Sequence, residues 1–235
     1  MPTLSPQLSI ILPTYNEEGN IIPLVRDIIV TLKSSSFEIL IIDDNSPDGT
    51  AEKAKKEFHH DKRIRIFVKK KDKGLARAIM YGIQKSKGVY ILVMDTDFNH
   101  NPNDIPRFLR LKGKYDLIVG SRYIPGGGME NRMRYYASFL YNLIIRFILS
   151  LPTKDSLSGF FLIKRSLLEK INFQTTFIGY GDYFMRLIKH VHQHTKSICE
   201  VPVFYKNRFS GESKSKLIIM CFNYSRTVFN LLTSL

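Results

Sequence analysis

The chain has 235 residues, 44% of them hydrophobic, enough to bury a core as one large domain or as a domain with a small appendage. Its 35 Lys and Arg against 21 Asp and Glu give a formal charge of +14, which directs attention to phosphates, nucleic acid or an acidic lipid surface. Two cysteines, Cys199 and Cys221, lack metal-ligand spacing, which argues against a disulfide framework and a zinc ribbon and suits a reducing, cytoplasmic compartment. The N-terminus "MPTLSPQLSIILPTYNEEGN" has no basic leader and turns polar too early for a signal peptide. No stretch supplies the roughly 20 uninterrupted apolar residues that a spanning helix needs.

Short β-branched runs at 8–13, 37–43, 63–68, 89–95 and 115–121 predict strands, and the segments 18–33, 50–59 and 74–87 between them have helical spacing. Strands alternating with helices predict an α/β fold with a mostly parallel central sheet flanked by helices. The glycine-rich "YIPGGGMEN" that follows has neither period and reads as a mobile loop over a site. Residues 134–152 predict a helix with Ser138, Asn142, Arg146 and Ser150 on a narrow polar stripe; so wide an apolar face needs a core or a membrane. A strand "GFFLIKR", helices near 166–171 and 181–194, and a strand "SICEVPVFY" come next. The last helix sets Asn223, Arg226, Thr227, Asn230 and Ser234 against Leu217, Cys221, Phe222, Phe229 and Leu232. Residues 1–216 are expected to form the main domain, and 217–235 an amphipathic helix that is part of it or contacts a membrane surface.

In an open parallel sheet, ligands bind beyond the carboxyl ends of the strands, and the loops there are strongly polar. "DTDFNHNP" places Asp95 and Asp97 just after a buried strand, where two carboxylates and the amide of Asn99 can hold part of a Mg2+ or Mn2+ shell. A solvated, capped turn is the bland alternative. In "DDNSPDGT", Asp43 and Asp44 end another buried strand and can accept hydrogen bonds from a base or ribose, while Asn45, Pro47, Asp48 and Gly49 read chiefly as turn and cap residues. In "PTYNEE", Pro13, Tyr15 and Glu17 offer a ring for a base and a carboxylate for a ribose, although Tyr15 fits a core equally well. The basic run "FVKKKDK" reads as a solvated loop. Neither G-x-G-x-x-G nor a Walker G-x-x-x-x-G-K occurs.

"PTYNE", "DDNSPDGT", "KGLARA", "DTDFNHNP", "GSRYIPGGG", "DSLSGFF" and "RFSGESKSK", in that order over residues 13 to 216, resemble the inverting glycosyltransferase family 2 of GT-A fold, in its dolichyl-phosphate mannose synthase branch. The resemblance implies a nucleoside pocket at Pro13, Tyr15, Glu17, Ile42 and Asp44, and a metal site at Asp95, Asp97 and Asn99 with Thr96 beside the donor. It also implies Arg122 and Arg134 as acceptor-phosphate ligands and Arg208 and Lys214 as cations on the donor diphosphate. Asp97, Arg122 and Asp182 are the residues expected at the reacting centre. The chain departs from the branch in two places: it has no tryptophan-proline pair after the glycine-rich loop, and "IGYGDYFMRLIKH" offers Asp182 where a glutamate-rich stretch is common.

The expected reaction is metal-dependent, inverting transfer of a hexose from a nucleotide sugar of the GDP-mannose or UDP-glucose class to a polyprenyl phosphate. It would take place peripherally on the cytoplasmic face of an anionic membrane, with a partner subunit left open. A hydroxyl acceptor would instead require a base, for which Asp155 or Asp182 are candidates. A non-enzymatic nucleic-acid-binding protein accounts for the charge but not for carboxylates at strand ends, which repel a phosphate backbone, so no nucleic-acid partner is expected.

Overall fold

The computed structural model describes residues 6–33, 35–206 and 217–233. The chain begins with β1 (Leu8–Thr14), α1 (Ile21–Thr31), β2 (Phe37–Asp43), α2 (Thr50–Phe58), β3 (Ile64–Val68), α3 (Leu75–Lys85) and β4 (Tyr90–Val93). A 3-10 turn then leads into α4 (Ile105–Leu111), followed by β5 (Leu117–Ser121), β6 (Gly128–Met129) and α5 (Arg132–Leu149). The last third holds β7 (Phe161–Lys164), α6 (Arg165–Leu168), α7 (Phe173–Thr176), α8 (Tyr183–His194), β8 (Ile198–Pro202), β9 (Phe204–Tyr205) and α9 (Leu217–Thr233).

Among the described residues, seven strands form one sheet in the order β3-β2-β1-β4-β7-β5-β8, with β7 antiparallel to both neighbours and the other pairs parallel. The β1 and β2 strands are buried along their whole length, as strands covered on both faces must be. Successive side chains therefore enter different cores. Ile11, Leu40, Ile42 and Val93 pack with α3, α8 and the inner faces of α5 and α9. Ile10, Leu12, Ile41 and Leu92 pack with α1, α2 and α4.

The chain leaves β1 toward β2 and β3 and returns to β4 on the other side of β1, so the crevice beyond the carboxyl ends of β1, β2 and β4 is a topological switch point. Because β7 runs the opposite way, its start lies at the same edge, with Phe161 opposite both Val93 and Val119. The parallel β8 brings Pro202 opposite Ser121 at that edge as well. Loops far apart in sequence thus converge on one mouth.

Three expectations are corrected. The run "SICEVPVFY" is two strands: the Val203 N–H still bonds the Ser121 carbonyl at 3.1 Å, and beyond it the chain turns to pair with the glycine-rich segment, Gly128 opposite Phe204 and Met129 opposite Tyr205. That segment is consequently a short strand rather than an unstructured loop, and it packs so tightly that a Cβ on Gly127 would strike the Ser121 carbonyl. The helix expected near 166–171 is shorter and is followed by a second short helix, α7, whose start is capped by the Asn172 side chain.

The helix α5 has the expected stripe in an informative orientation. Asn142 and Ile145 are buried, and Asn142 receives the Ser156 N–H while donating to the Ser138 carbonyl. Met133, Tyr136, Leu140, Leu143 and Phe147 face outward, Phe147 with 87% of its surface exposed. The middle of the polar stripe, at Asn142, therefore packs inward beside Ile145 and Leu149, and much of the apolar surface faces outward.

Candidate active site

The first two strand-end loops are fastened together. Consecutive main-chain N–H groups of Asn16, Glu17 and Glu18 donate to Ser46 Oγ, Thr50 Oγ1 and Asp48 Oδ2 at 3.0, 3.0 and 3.1 Å. Asp43 in turn accepts the Ser46 N–H at 2.8 Å and the Ser46 hydroxyl at 2.5 Å. The turn residues of "DDNSPDGT" thus serve to hold "TYNEE" in place, with Gly49 in the left-handed region at φ 85°.

On that frame, Tyr15 is 42% exposed and is a mouth residue, not a core one. Glu17 is buried and accepts the Asn20 amide at 2.6 Å. The Pro13 carbonyl accepts the Thr96 hydroxyl at 3.3 Å, joining the first loop to the fourth. Ile42 differs from expectation: its side chain is fully buried in the core against α3 and its main chain lies within the β2 ladder. Asp44 is also buried, accepting the Gly74 N–H at 2.6 Å and the Lys69 ammonium at 3.2 Å. Lys69, which also donates to the Asp72 carbonyl at 2.7 Å, was not distinguishable in the basic run around it. Its signal is position, since it is the first residue after β3 and so lies on the ligand-binding edge.

The fourth loop carries Asp95, Thr96, Asp97, Asn99 and His100. Asp97 is buried and accepts the Asn99 main-chain N–H at 3.1 Å and side-chain N–H at 2.8 Å, while the Asp95 side chain is 41% exposed. The loop thus carries two carboxylates and an amide, the oxygen-bearing side chains that Mg2+ or Mn2+ takes together with phosphate and water. His100 was missed by sequence reasoning. Its ring is wholly buried, Nδ1 accepts the Asp95 N–H at 2.8 Å, and burial pushes its pKa down to about 4, so the ring is neutral.

Next to this loop stands a buried ion pair. Arg122 donates from Nε to Asp155 Oδ2 and from Nη2 to Asp155 Oδ1, both at 2.7 Å, with its guanidinium 5.0 Å from the Tyr123 ring centre and 4.7 Å from that of Tyr205. Burial alone would lower the Arg122 pKa, but Asp155 more than offsets it and the net shift is upward. Two of the five guanidinium N–H donors are thus engaged, and no other hydrogen bond of that group occurs among the described residues. Arg134 is exposed in the first turn of α5, which the Tyr123–Tyr135 ring contact at 5.2 Å ties to the Arg122 segment.

Asp182 lies at the start of α8, buried, where its carboxylate pairs with Arg186 and accepts the Tyr180 N–H at 2.7 Å and the Thr227 hydroxyl of α9 at 2.9 Å. Arg208 and Lys214 lie outside the described residues.

Residues 9–172 match the family model described as Glycosyl transferase family 2. The chain belongs to glycosyl transferase family 2. This glycosyltransferase is 33% identical over 231 residues to a dolichol-phosphate mannosyltransferase of Pyrococcus furiosus, covering 96% of this chain and 64% of that protein. It is 30% identical over 173 residues to one of Saccharomyces cerevisiae, covering 72% and 65%, so it spans just under two thirds of the length of these two relatives. A third, from Mycosarcoma maydis, is 29% identical over 220 residues, covering 89% of this chain and 74% of that one. Among solved structures, glucosyl-3-phosphoglycerate synthase of Mycobacterium tuberculosis in complex with Mn2+, uridine diphosphate and phosphoglyceric acid superposes with a TM-score of 0.71 at 17% identity, covering 97% of this chain and 78% of that one. The same enzyme with Mg2+ and uridine diphosphate gives 0.69 at 19% identity, covering 97% and 79%. These likenesses place the fold in the GT-A class, as its sheet order and ligand edge already indicate.

Proposed function

We propose that this glycosyltransferase transfers a hexose, of the mannose or glucose class, from a nucleotide sugar to a polyprenyl phosphate of the dolichyl type, with inversion. The observation that carries the acceptor assignment is the state of the two carboxylates available as a base. Asp155 is fully buried in its pair with Arg122, and Asp182 is buried in its pair with Arg186. Both oxygens of each carboxylate already accept hydrogen bonds from the protein, so neither is placed within reach of a substrate hydroxyl. A phosphate monoester, with a second pKa of about 6, already carries the attacking oxygen as an anion and needs no base. The names of the relatives support the same acceptor.

In this reading the donor base lies by Tyr15 and the Asp44–Lys69 pair, with Glu17 toward the ribose. Asp95 and Asp97, with Asn99, would hold a Mg2+ or Mn2+ ion, which supplies positive charge to the departing diphosphate when bound. Arg208 and Lys214 would add to it. Arg122, immobilised by Asp155, directs its remaining N–H donors to the acceptor phosphate, and Arg134 approaches that phosphate from the start of α5; alignment rather than proton transfer sets the rate. Asp182 takes a holding role, tying α9 to α8, so that 1–216 and the last helix act as one unit.

The acceptor's lipid requires the site to meet a bilayer. The outward face of α5 begins beside the Arg122 segment and continues through Tyr136, Leu140, Leu143 and Phe147, and the excess of 14 positive charges favours anionic headgroups. Among the described residues no helix is long and apolar enough to cross a membrane; the proposed attachment is peripheral, on the cytoplasmic face. Offering the enzyme polyprenyl phosphate and the corresponding polyprenol tests the acceptor claim. Transfer to the phosphate alone, with an inverted anomeric centre by NMR, supports it; comparable transfer to the alcohol refutes it.

A further inference from the structure

We infer that His100 is a positioning residue for Asp95: its ring fixes the direction of the first aspartate of the fourth loop by clasping that residue's main chain and anchoring to Tyr205. The inference rests on the metal-site reading of Asp95 and Asp97 and adds to it a residue that binds neither metal nor substrate.

The hydrogen bonds form a chain with one sense. Asp95 N–H donates to His100 Nδ1 at 2.8 Å, so Nδ1 must be the unprotonated nitrogen and a neutral ring carries its proton on Nε2. That proton goes to Tyr205 Oη at 2.7 Å, and the Tyr205 hydroxyl donates onward to the Ser158 carbonyl at 2.8 Å. The Ser158 hydroxyl contacts Tyr205 Oη at 2.9 Å and completes its coordination. The donor and acceptor roles of the ring are therefore fixed, and the other tautomer would set N–H against N–H at Asp95.

Packing holds the ring as firmly as the hydrogen bonds do. It lies on Phe160, centroids 4.7 Å apart and planes 13° from parallel, with the Tyr205 ring edge-on at 4.9 Å. In this position Nε2 is 3.7 Å from Asp95 Oδ2, beyond a hydrogen bond but on the side toward which a partial positive charge draws the carboxylate. Asp95 is thereby held at its main chain and biased at its side chain. Groups that orient a metal ligand in this way typically contribute about 10–100-fold in metal affinity or activity.

Two near-isosteric variants separate positioning from mere filling of the core. In His100→Asn the amide oxygen falls near Nδ1 and keeps the Asp95 N–H bond while losing Tyr205. In His100→Gln the amide falls near Nε2, keeps Tyr205 and abandons Asp95. Mn2+ titration followed by EPR, alone and with GDP or UDP present, measures affinity without turnover, and melting temperature reports the packing cost. The expected result is Mn2+ affinity within about threefold of the parent for His100→Asn and a loss of tenfold or more for His100→Gln, in line with the orienting effect above. Equal affinities in both variants and the parent, whatever their melting temperatures, would overturn the inference. If His100→Gln does not fold, Tyr205→Phe carries the test: it leaves the ring without its Nε2 acceptor and should weaken Mn2+ binding severalfold, and unchanged binding would overturn the inference. A parent protein that binds no Mn2+ under either condition removes the metal-site reading, and this inference with it.

Discussion

Asp155 grips the Arg122 guanidinium with two parallel hydrogen bonds of 2.7 Å and also accepts the Arg122 main-chain N–H at 3.0 Å. The arginine expected to bind acceptor phosphate is thus also a structural ion. Removing one partner leaves a buried, unpaired charge, at a cost of roughly 3–5 kcal/mol. Asp155→Ala is expected to lower stability in urea denaturation by about that amount. Arg122→Lys keeps a charge but not the planar fork, and should raise KM for polyprenyl phosphate on the order of tenfold while nucleotide-sugar binding by calorimetry changes little. Equal losses for both substrates would make Arg122 a donor or purely structural residue.

Asp97 accepts two hydrogen bonds from Asn99 within its own loop, each worth about 1 kcal/mol net, and its proposed role is at the metal. Asp97→Ala should therefore abolish measurable turnover, a loss on the order of a hundredfold or more, with the melting temperature nearly unchanged. Excess chelator should do the same to the parent protein, reversibly on adding Mg2+ or Mn2+. Full activity in either experiment contradicts the metal site.

Lys69 and Asp44 form a buried pair at the proposed donor side. Lys69→Met is expected to raise KM for the nucleotide sugar on the order of tenfold and to leave KM for the acceptor unchanged, the reverse of Arg122→Lys. Steady-state kinetics with each substrate varied in turn distinguishes the two.

The outward face of α5 predicts a membrane effect without a folding effect. Phe147 is largely exposed, so Phe147→Glu should leave the melting temperature intact. Burying a phenylalanine side chain contributes about 1.5–3 kcal/mol, so partition onto anionic liposomes in flotation should fall on the order of tenfold or more. Added salt should weaken binding of the parent. Indifference of the parent to vesicles would rule out peripheral attachment.

The parallel strands were legible because each is a short β-branched run between helical patterns, and the mouth followed from where such runs end. The reverse direction of β7 was not legible: "GFFLIKR" looks the same whichever way it enters the sheet. Nor was the inward turn of the α5 stripe, since its sense depends on Asn142 finding the Ser156 N–H across the fold. Asp155 could be named as a candidate base, but its partner is 33 residues away, and burial of the pair changes its chemistry. Lys69 and His100 were hidden for opposite reasons, one inside a basic run that is otherwise solvated, the other beside two aspartates that account for the motif without it.

The acceptor is the central claim, and one assay addresses it most directly. Purified protein is incubated with Mn2+ or Mg2+ and each of a panel of labelled nucleotide sugars, with and without polyprenyl phosphate, and the products are partitioned into organic solvent. The account predicts label in the organic phase for a hexose donor when both cation and polyprenyl phosphate are present, and none when either is omitted. Label that stays in the aqueous phase on a saccharide for every donor, or that reaches the organic phase without the phosphate, would contradict it.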